Sequence, residues 1–546
     1  MIKLGISAFY HDSAACIVKD GKIIAAAEEE RFTGIKHDYS FPKNAINYCL
    51  KETGISINKV EQVCWYENPS TKEDRVRKTF GKRPIRTFFI NRKFQKSKQD
   101  QNPKNILQSM GYTGEIRYFD HHYSHAAFSY FSSDFSNSAI LTIDGVGEWE
   151  TVSISLGVGD SIRKLYTVDF PNSLGMLYST ITAYLGFKPN EGEYKVMGLA
   201  PYGSPTKYLE KLHKLIEYKQ GKFYLLQKYF TWEYSDRLMF NKKLCRLLEL
   251  PPRLPEDSLN QDHKDLAAAL QKFYELQFLK LAKKAKDLTG SQNICLGGGC
   301  AYNGVANTLA YKYFKSVHVP FAPSDAGSAI GACLDKNTKI SPYLGPEYSD
   351  SYIRRVLEPY KDRVHIFYLR EEKLISTVAN LIDSQNIIAW FQGRMEFGAR
   401  ALGNRSILAS PKFAKMREKL NYVIKKREGF RPFAPSVLED KAHLFFDLKE
   451  PVPYMNQVVQ SKTKKLPAAT HIDGSCRVQT VTEKQNKRYY KLLTELGKIT
   501  GVPVVLNTSF NLKDETITLT PKDAIDRYLN SDINFLIINN FLIKKI

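Results

Sequence analysis

Long apolar runs are missing from the sequence. Among its 546 residues there is no stretch of about 18 uninterrupted apolar residues, the minimum for a membrane-spanning helix. The N-terminal segment MIKLGISAFYHDS reaches polar residues after a few apolar ones, so it lacks the longer apolar core of a secretory signal peptide. We therefore expect a cytoplasmic protein that has no membrane partner.

Cysteine pairs typical of metal knuckles are missing as well. The eight cysteines include no C-x-x-C pair and lie mostly in apolar segments, a pattern typical of buried, reduced thiols. The sequence also has no long tract of biased composition, and its 43% hydrophobic and 25% charged residues are ordinary for a globular protein. These absences argue against disulfides, a zinc knuckle and a disordered or fibrous chain.

The length predicts two large domains. Single cores stop growing near about 250–300 residues, well short of this chain. Around residues 337–352 the hydrophobic pattern loses its periodicity, and Pro342, Gly345 and Pro346 gather there, which is typical of a linker. We predict domains at residues 1–350 and 351–546 and expect both to be of the α/β class.

Basic residues outnumber acidic ones, and the formal net charge is +22. Such a charge attracts anions at long range, and nucleic acid, ATP and phosphorylated small molecules all qualify. The densest basic stretch, residues 72–98, carries eleven Lys or Arg with interleaved phenylalanines, which allows a nucleic-acid-binding patch. The favoured interpretation is a basic helical excursion on the surface of a lysine-rich protein, so nucleic acid is not an expected partner.

A β-meander occurs twice in the N-terminal domain. In both copies three short apolar segments are separated by polar or glycine-containing turns, and the first turn offers a position for a phosphate. The predicted strands are residues 2–7, 14–18 and 22–27 in the first copy and 139–143, 151–156 and 163–168 in the second. This weak repeat fits the duplicated architecture of the actin, Hsp70 and sugar-kinase superfold, in which a nucleotide lies between two related halves.

Three consecutive glycines follow a predicted strand at residues 293–296. A long amphipathic helix at residues 266–288, with Gly290 as its C-terminal cap, precedes this strand. Glycines between a strand and a helix let the backbone approach an anion, and the helix N-terminus adds free N–H groups. The segment from Gly297 to Asn303 therefore predicts a nucleotide site, although three glycines alone often form only a tight turn.

Three histidines lie within five residues in the segment from Asp120 to His125. If a helix begins after Asp120 as N-cap, His121 and His125 stand at i and i+4 on one face and can share a metal ion. His122 would point about 100° away, so it is a poorer ligand. Histidines that only form hydrogen bonds near a helix start are the alternative, which the clustering of three weakens.

Two aspartates are candidate partners for this histidine pair. Asp144 and Asp325 each follow a predicted strand and open a turn, where sites concentrate in α/β folds. Either aspartate could instead be only an N-cap or a turn residue. Two histidines with two carboxylates favour Fe(II), Mn(II) or Zn(II) over magnesium alone.

Glycine and arginine alternate in the C-terminal domain after a predicted strand at residues 387–391. Arginine forks bind phosphate or carboxylate, while glycines let the backbone close around the anion. The candidate donors are Arg394, Arg400, Arg405, Lys425, Lys426, Arg427, Arg431, Arg477, Asn507 and Ser509. A lone run such as residues 425–427 is more typical of a solvated surface, but several glycine-flanked arginine motifs in one domain predict an oxyanion pocket.

Five motifs together resemble those of the O-carbamoyltransferase family that includes the nodulation, cephamycin and nebramycin (tobramycin) enzymes. They are residues 11–15 (HDSAA), 29–32 (EERF), 120–126 (DHHYSHA), 193–203 (EYKVMGLAPYG) and 400–406 (RALGNRS). The resemblance spans nearly the whole chain. It implies an N-terminal actin-like domain, similar to the proteins that complete tRNA threonylcarbamoyladenosine, and a C-terminal YrdC-like α/β domain.

The resemblance also implies chemistry in two stages. The C-terminal domain would convert carbamoyl phosphate and ATP, with Mg²⁺, into carbamoyladenylate, and the N-terminal domain would pass the carbamoyl group to an acceptor hydroxyl. By motif, the ligands of the first stage would contact Arg400, Lys425, Arg431, Arg477, Asn507 and Ser509, with Arg400 and Lys425 catalytic. In the second stage His121, His125, Asp144 and Asp325 would hold Fe(II) or another divalent transition metal, Gly298, Gly299 and Asn303 would lie against the adenylate, and His11 would act at the acceptor hydroxyl.

Two other functions stay open on the sequence alone. A tRNA threonylcarbamoyladenosine-type modification enzyme would use similar domains, although the motif at residues 400–406 favours the antibiotic and nodulation branch. A non-catalytic nucleotide-binding or nucleic-acid-binding protein would fit the actin-like half and the charge. The favoured acceptor is a sugar or another natural product, and the sequence names neither that acceptor nor an oligomeric state.

Overall fold

The chain alternates strands with helices, as predicted for an α/β protein. The structure is a computed structural model that describes residues 1–80, 102–233, 235 and 238–546. The strands are β1 (Ile2–Ser7), β2 (Ala14–Lys19), β3 (Lys22–Glu28), β4 (Gln62–Trp65), β5 (Glu115–Tyr118), β6 (Asn137–Ile143), β7 (Glu150–Val158), β8 (Ser161–Asp169), β9 (Ile216–Lys219), β10 (Lys222–Leu225), β11 (Asn293–Gly297), β12 (Ser316–His318), β13 (Val364–Tyr368), β14 (Ile388–Phe391), β15 (Arg405–Ala409), β16 (Ala434–Leu438), β17 (Val458–Gln460), β18 (Ser475–Arg477), β19 (Gln479–Val481), β20 (Val504–Ser509), β21 (Phe535–Ile538) and β22 (Phe541–Lys545).

The α-helices connect these strands. They are α1 (Glu30–Thr33), α2 (Lys43–Thr53), α3 (Pro69–Phe80), α4 (Pro103–Ser109), α5 (His121–Phe131), α6 (Leu174–Tyr184), α7 (Glu193–Leu199), α8 (Thr206–His213), α9 (Lys242–Leu248), α10 (Gln261–Thr289), α11 (Gly304–Leu309), α12 (Asp325–Gly331), α13 (Asp350–Leu357), α14 (Glu371–Asp383), α15 (Ala414–Glu418), α16 (Lys487–Thr500) and α17 (Pro521–Leu529). Both β-meanders predicted from the sequence are present, with bounds within two residues of those expected.

Contacts divide the chain into two units. The first unit consists of Met1–Ile24 and Tyr39–Lys339, and the second of Ala25–Asp38 and Ile340–Ile546. The sequence-based division lay at residues 350/351 and kept residues 25–38 in the N-terminal domain. The segment 25–38 joins the second unit through specific bonds, since the Arg31 guanidinium donates to the Gly398 carbonyl and the Gly398 N–H donates to Glu28.

Two five-stranded sheets, built from the strands β1–β8, β11 and β12, have the same topology. Their strand orders are β3-β2-β1-β4-β5 and β8-β7-β6-β11-β12. In each sheet the first strand of the meander pairs antiparallel with the second and parallel with a later strand, β4 or β11, which in turn pairs parallel with β5 or β12. The repeated order confirms the internal duplication predicted from the two meanders.

Helix α10 has clear signals at both ends. Asn260 and His263 form a reciprocal capping box at its start, and Gly290 ends it in the left-handed region with φ of 65°. The predicted helix at residues 266–288 and its glycine cap are therefore confirmed. The chain turns there into β11, which carries the glycine-rich turn.

Glycines bring α12 unusually close to its neighbours. A Cβ atom on Gly331 would overlap the Ser124 carbonyl oxygen of α5, and one on Gly5 of β1 would overlap the Ala329 carbonyl oxygen. Because small residues let backbones approach, α12 packs directly on both α5 and β1. This close packing fixes the N-terminus of α12 relative to that of α5.

The second unit contains an eight-stranded sheet with both faces covered. Its order is β13-β22-β21-β14-β15-β20-β16-β19. Along β14, Ile388 and Trp390 join the apolar cluster of α14 and α16, while Ala389 and Phe391 join the larger cluster on the opposite face. Burial on both faces explains why the sequence reads as a continuous apolar run there rather than as an alternating one.

The remaining sequence-based predictions concern membrane spans and the basic stretch. Among the described residues, none of the helices combines the length and the apolar character that a membrane span requires. The basic stretch at residues 72–98 begins within α3, as a helical excursion would, but residues 81–98 lie outside the described residues.

We expect the substitution Gly5→Ala to destabilise the first unit by about 1–3 kcal/mol, since the added methyl group overpacks the contact between β1 and α12. It would also meet the Cys16 and Cys333 sulfur atoms at 2.8 Å. Urea unfolding of the full chain measures the change. Gly145→Ala is the matched control, because its Cβ would have Tyr10 Oη at 3.7 Å as its nearest neighbour. Equal free energies of unfolding for the two variants would contradict the close packing.

Candidate functional site

Helix α5 begins as the sequence predicts. The Asp120 side chain accepts a hydrogen bond from the Tyr123 N–H at 2.8 Å and caps the helix. His121 and His125 then lie one turn apart and are both buried. Their Nε2 atoms are 3.1 Å apart, so the two rings face a common point.

The four side chains predicted as metal ligands converge at this point. His121 Nε2 lies 3.0 Å from Asp144 Oδ2, and His125 Nε2 lies 3.3 Å from Asp325 Oδ1. The cross distances, His121 to Asp325 and His125 to Asp144, are both 3.7 Å. Four ligands about 2.1 Å from one ion would be about 3.0 Å apart in an octahedral and about 3.4 Å apart in a tetrahedral arrangement. The spacing therefore fits a single divalent ion.

The charges of this four-residue cluster also call for a cation. All four side chains are buried, and neither carboxylate oxygen of Asp325 has a hydrogen-bond partner in the described part of the chain. Burial would raise the pKa of Asp144, but hydrogen bonds from His121 and His125 hold it well below its usual value. Burial lowers the pKa of His121, yet the carboxylates of Asp325 and Asp144 outweigh this effect and raise it to about 9. Two buried carboxylates with histidines that can release protons are the usual setting of a transition metal.

Outer contacts hold the two histidines differently. His125 Nδ1 lies 3.0 Å from Ser328 Oγ, and such a contact to the second ring nitrogen typically fixes the ring orientation of a metal-binding histidine. The buried carboxylate of Glu148 accepts from the backbone N–H of His121, so it fixes the start of α5. His122 turns away from the cluster, with Nδ1 3.0 Å from Ser153 Oγ, as its position on the helix predicts.

The glycine-rich turn lies beside the cluster. The Gly299 N–H donates to Asp144 Oδ1 at 2.9 Å, and Gly298 has φ of 84° with no room for a Cβ atom next to the Ile143 carbonyl. One turn of 3₁₀ helix, Gly299–Tyr302, follows, and α11 begins only at Gly304. Asn303 caps α11 and its side chain exchanges hydrogen bonds with Gln271. The sequence predicted a new helix after the segment from Gly297 to Asn303, and α11 begins there.

His11 lies in the turn between β1 and β2. Its Nδ1 atom is 3.1 Å from an Asp12 carboxylate oxygen. Burial lowers the pKa of His11, but the charges of Asp325 and Asp12 raise it to about 10. The influence of Asp325 brings His11 into the electrostatic neighbourhood of the four-residue cluster.

A second group of predicted residues forms a cluster of cations in the second unit, here called the cationic cluster. Burial lowers the pKa of Arg477, and the positive charges of Arg400 and Arg431 lower it further. Burial and the charges of Arg427 and Arg431 likewise lower the pKa of Lys425. Positive charges gathered around buried cations favour binding of an anion.

Hydrogen bonds give the residues in and beside the cationic cluster distinct roles. The Lys425 ammonium donates to the Ser509 and Asn511 carbonyls and to Asn511 Oδ1, so it fixes the end of β20. Ser509 Oγ donates to Asn511 Oδ1 at 2.7 Å. Asn507 donates to the Ala401 carbonyl at 3.1 Å, next to Arg400. Asn507 Oδ1 and Arg477 Nε are buried without a hydrogen-bond partner in the described part of the chain, so both atoms could bond to a ligand.

Two arginines of the glycine-arginine motif bind the protein's own backbone. The fully buried Arg405 donates to the carbonyls of Gln392, Gly393 and Pro346, and its guanidinium lies 3.6 Å from the centre of the Phe391 ring. Arg394 donates to the Leu344 and Gly345 carbonyls. Sequence reasoning missed Glu396, Glu28 and Arg31 as partners of this motif. The motif at residues 29–32, which contains Arg31, was the only sequence signal for these contacts, and it did not indicate which residues Arg31 binds.

Comparisons with known proteins were made on the whole chain. The family model described as "Carbamoyltransferase N-terminus" matches residues 2–334, and that described as "Carbamoyltransferase C-terminus" matches residues 379–545. An uncharacterized protein of Synechocystis sp. is 40% identical over 99% of this chain and 96% of its own length. Nodulation protein NolNO of Sinorhizobium fredii is 36% identical over 98% of this chain and 79% of its own. Nodulation protein U of the same species is 28% identical over 92% of each chain.

Solved structures resemble the chain only weakly. Component A of (R)-2-hydroxyglutaryl-CoA dehydratase from Acidaminococcus fermentans has 12% identity and a TM-score of 0.30, with 62% of this chain and 98% of that chain covered. HypF from T. kodakarensis has 13% identity and a TM-score of 0.31, with 61% of this chain and 47% of that chain covered.

We expect the purified chain to bind about one divalent transition-metal ion and the His125→Ala variant to lose most of it, because one of four converging ligands is gone. Elemental analysis by mass spectrometry after exhaustive dialysis measures the metal. His122→Gln is the matched control, since His122 is equally buried on the same helix but faces Ser153. Equal metal content in wild type and His125→Ala would contradict the assignment of the site.

Proposed function

Because the chain belongs to the carbamoyltransferase family, as its motifs predicted, we propose that it is an ATP-dependent O-carbamoyltransferase. The second unit forms carbamoyladenylate from carbamoyl phosphate and ATP, and the first unit transfers the carbamoyl group to a hydroxyl of a sugar or another natural product. The observation that carries the proposal is that each family half contains its own polar site, one cationic and one rich in carboxylates. The reaction takes place in the cytoplasm.

The cationic cluster supports the first stage, in which carbamoyladenylate forms. Carbamoyl phosphate and water give phosphate and carbamate; a carbamate oxygen then attacks the α-phosphorus of ATP, and pyrophosphate leaves. Every species in this sequence except water is an anion, so the negative charges must be neutralised before the anions can react with one another. Arg400, Arg431 and Arg477 supply positive charge, Lys425 fixes the strand end that carries Ser509, and Mg²⁺ accompanies the ATP. A YrdC-like fold for the second unit is part of this proposal.

The carboxylate-rich cluster supports the second stage. His121, His125, Asp144 and Asp325 are the residues that would hold Fe(II) or another divalent transition metal, and a bound metal of this kind supplies Lewis-acid stabilisation of developing negative charge. The glycine-rich turn at Gly298 and Gly299 offers backbone N–H groups and close approach for the adenylate, with Asn303 at its end. An actin-like architecture of the first unit belongs to the same proposal.

His11 is the proposed base for the acceptor. The acceptor oxygen forms a bond to the carbamoyl carbon, the bond from that carbon to the AMP phosphate oxygen breaks, and the acceptor proton passes to His11. A base must be unprotonated to do this. Two of the carboxylates that raise the pKa of His11, those of Asp325 and Asp144, would be neutralised by a bound cation, so occupation of the cluster would favour the neutral form.

The full reaction gives a direct test. We expect the purified chain, supplied with carbamoyl phosphate, ATP and a panel of hydroxyl compounds, to convert at least one acceptor into a product heavier by one carbamoyl group. Mass spectrometry detects the product, and omission of carbamoyl phosphate is the control. Without an acceptor, carbamoyladenylate and pyrophosphate should still form; their absence would rule out the proposal.

Single substitutions should separate the two stages. We expect Arg477→Ala to lower the rate of carbamoyladenylate formation by about 100-fold or more, because the cationic cluster loses one of its positive charges. We expect His11→Ala to leave that stage intact and to slow carbamoyl transfer by about 100-fold or more, the usual effect of losing a general base. Pyrophosphate release and product mass measure the two stages separately. Equal loss of both stages in both variants would contradict the division of labour.

A further inference from the structure

Residues 393–404, here called the arginine loop, connect β14 to β15 and carry Arg400. The loop contains three glycines with positive φ, Gly393, Gly398 and Gly403, so its path needs external support. Its last residues bond with buried side chains, and the Asn404 carbonyl also accepts from the Gln392 N–H at the end of β14. What holds the loop therefore decides where the Arg400 guanidinium lies.

The second half of the arginine loop wraps around a carboxylate. One oxygen of the buried Glu396 accepts hydrogen bonds from the N–H groups of Leu402, Asn404 and Arg405, at 2.7, 2.7 and 3.2 Å. Several backbone N–H groups that converge on one anion form a rigid arrangement. This half of the loop is therefore fixed by a residue of the loop itself.

In the first half, Met395 and Phe397 form backbone hydrogen bonds with residues 342–346, and Gly398 is held from a more distant part of the sequence. At Gly398 the N–H donates to Glu28 Oε2 at 3.3 Å, and the carbonyl accepts from Arg31 Nη2 at 3.0 Å. Glu28 and Arg31 form an ion pair with each other at 2.8 Å, and their side chains are only 7% and 4% exposed. The two side chains of the ion pair thus bind both the N–H and the carbonyl of Gly398, which lies two positions before Arg400.

A buried ion pair is a costly way to add stability. Taking both charges out of water costs several kcal/mol per ion, which their attraction only partly offsets, so such pairs often contribute little net stability. Buried ion pairs do fix geometry, because the hydrogen bonds between a planar guanidinium group and a carboxylate lie in one plane. The position of the pair at Gly398 points to a geometric role.

We infer that Glu28 and Arg31 are positioning residues for Arg400 and so set the affinity of the second unit for phosphate-bearing substrates. The inference rests on the proposed function, which gives Arg400 its ligand. The competing explanation is that the pair only stabilises the fold. The two differ kinetically: misplacing a binding group raises KM, whereas partial unfolding lowers the active fraction and therefore kcat.

The test measures the kinetics of pyrophosphate release by wild type and by variants of the full chain. We expect Arg31→Ala to raise KM for carbamoyl phosphate by about tenfold or more, with kcat changed less than about threefold. Arg31→Lys should fall between wild type and Arg31→Ala, because it keeps the charge opposite Glu28 but loses the planar fork. Asp526→Ala is the control for destabilisation alone, since Asp526 bonds to Lys522 and Tyr360. An unchanged KM in Arg31→Ala with a lowered kcat or melting temperature would overturn the inference.

A binding measurement separates this inference from the proposed function. Calorimetric titration of the full chain with inorganic pyrophosphate needs no turnover, and Arg31→Ala should bind it about tenfold more weakly than wild type. If wild type released no pyrophosphate from its substrates, the proposed function would fail and this ratio would still decide the inference. Equal affinities, or no pyrophosphate binding by wild type, would overturn it. Should Arg31→Ala not fold, Glu28→Gln replaces it, because glutamine can still accept from Gly398 but ends the charge pairing with Arg31, whose other ion pair, with Glu30, remains.

Discussion

Two buried carboxylates face two buried histidines in the first unit, and much of that unit serves to bring them together. Asp144 comes from the end of β6, Asp325 from the start of α12, and His121 and His125 from the first turns of α5. The glycines at positions 327 and 331 let α12 press against α5, and Gly298 lets the backbone pass the Ile143 carbonyl. Without a cation, this concentration of negative charge would be costly to bury.

The second unit has the opposite arrangement. Burial and the positive charges of Arg400 and Arg431 lower the pKa of Arg477, and two buried carboxylates, Glu28 and Glu396, accept hydrogen bonds from the backbone of the arginine loop. One site therefore calls for a cation and the other for an anion. The proposed reaction, which activates a small anionic group with ATP and passes it to a neutral hydroxyl, needs both kinds of site.

Local signals let the sequence predict much of this architecture. The meanders, the helix ending at Gly290 and the Asp120 cap depend on neighbouring residues, and all are confirmed. The roles of Arg405 and of residues 25–38 depend on contacts between distant positions, which spacing cannot reveal. Arg405 looked like Arg400 in the sequence, yet burial against Phe391 turns its guanidinium to backbone carbonyls. The approach of Asp144 and Asp325 to the histidines is likewise a product of the folded topology.

X-ray absorption of the metal-loaded chain tests the four-residue cluster most directly. We predict a shell of nitrogen and oxygen ligands near about 2.1 Å that contains two imidazole nitrogens. In the His121→Ala variant the imidazole contribution of any remaining metal should fall by half. A shell that contains sulfur, or one whose imidazole contribution is unchanged by this substitution, would contradict the account.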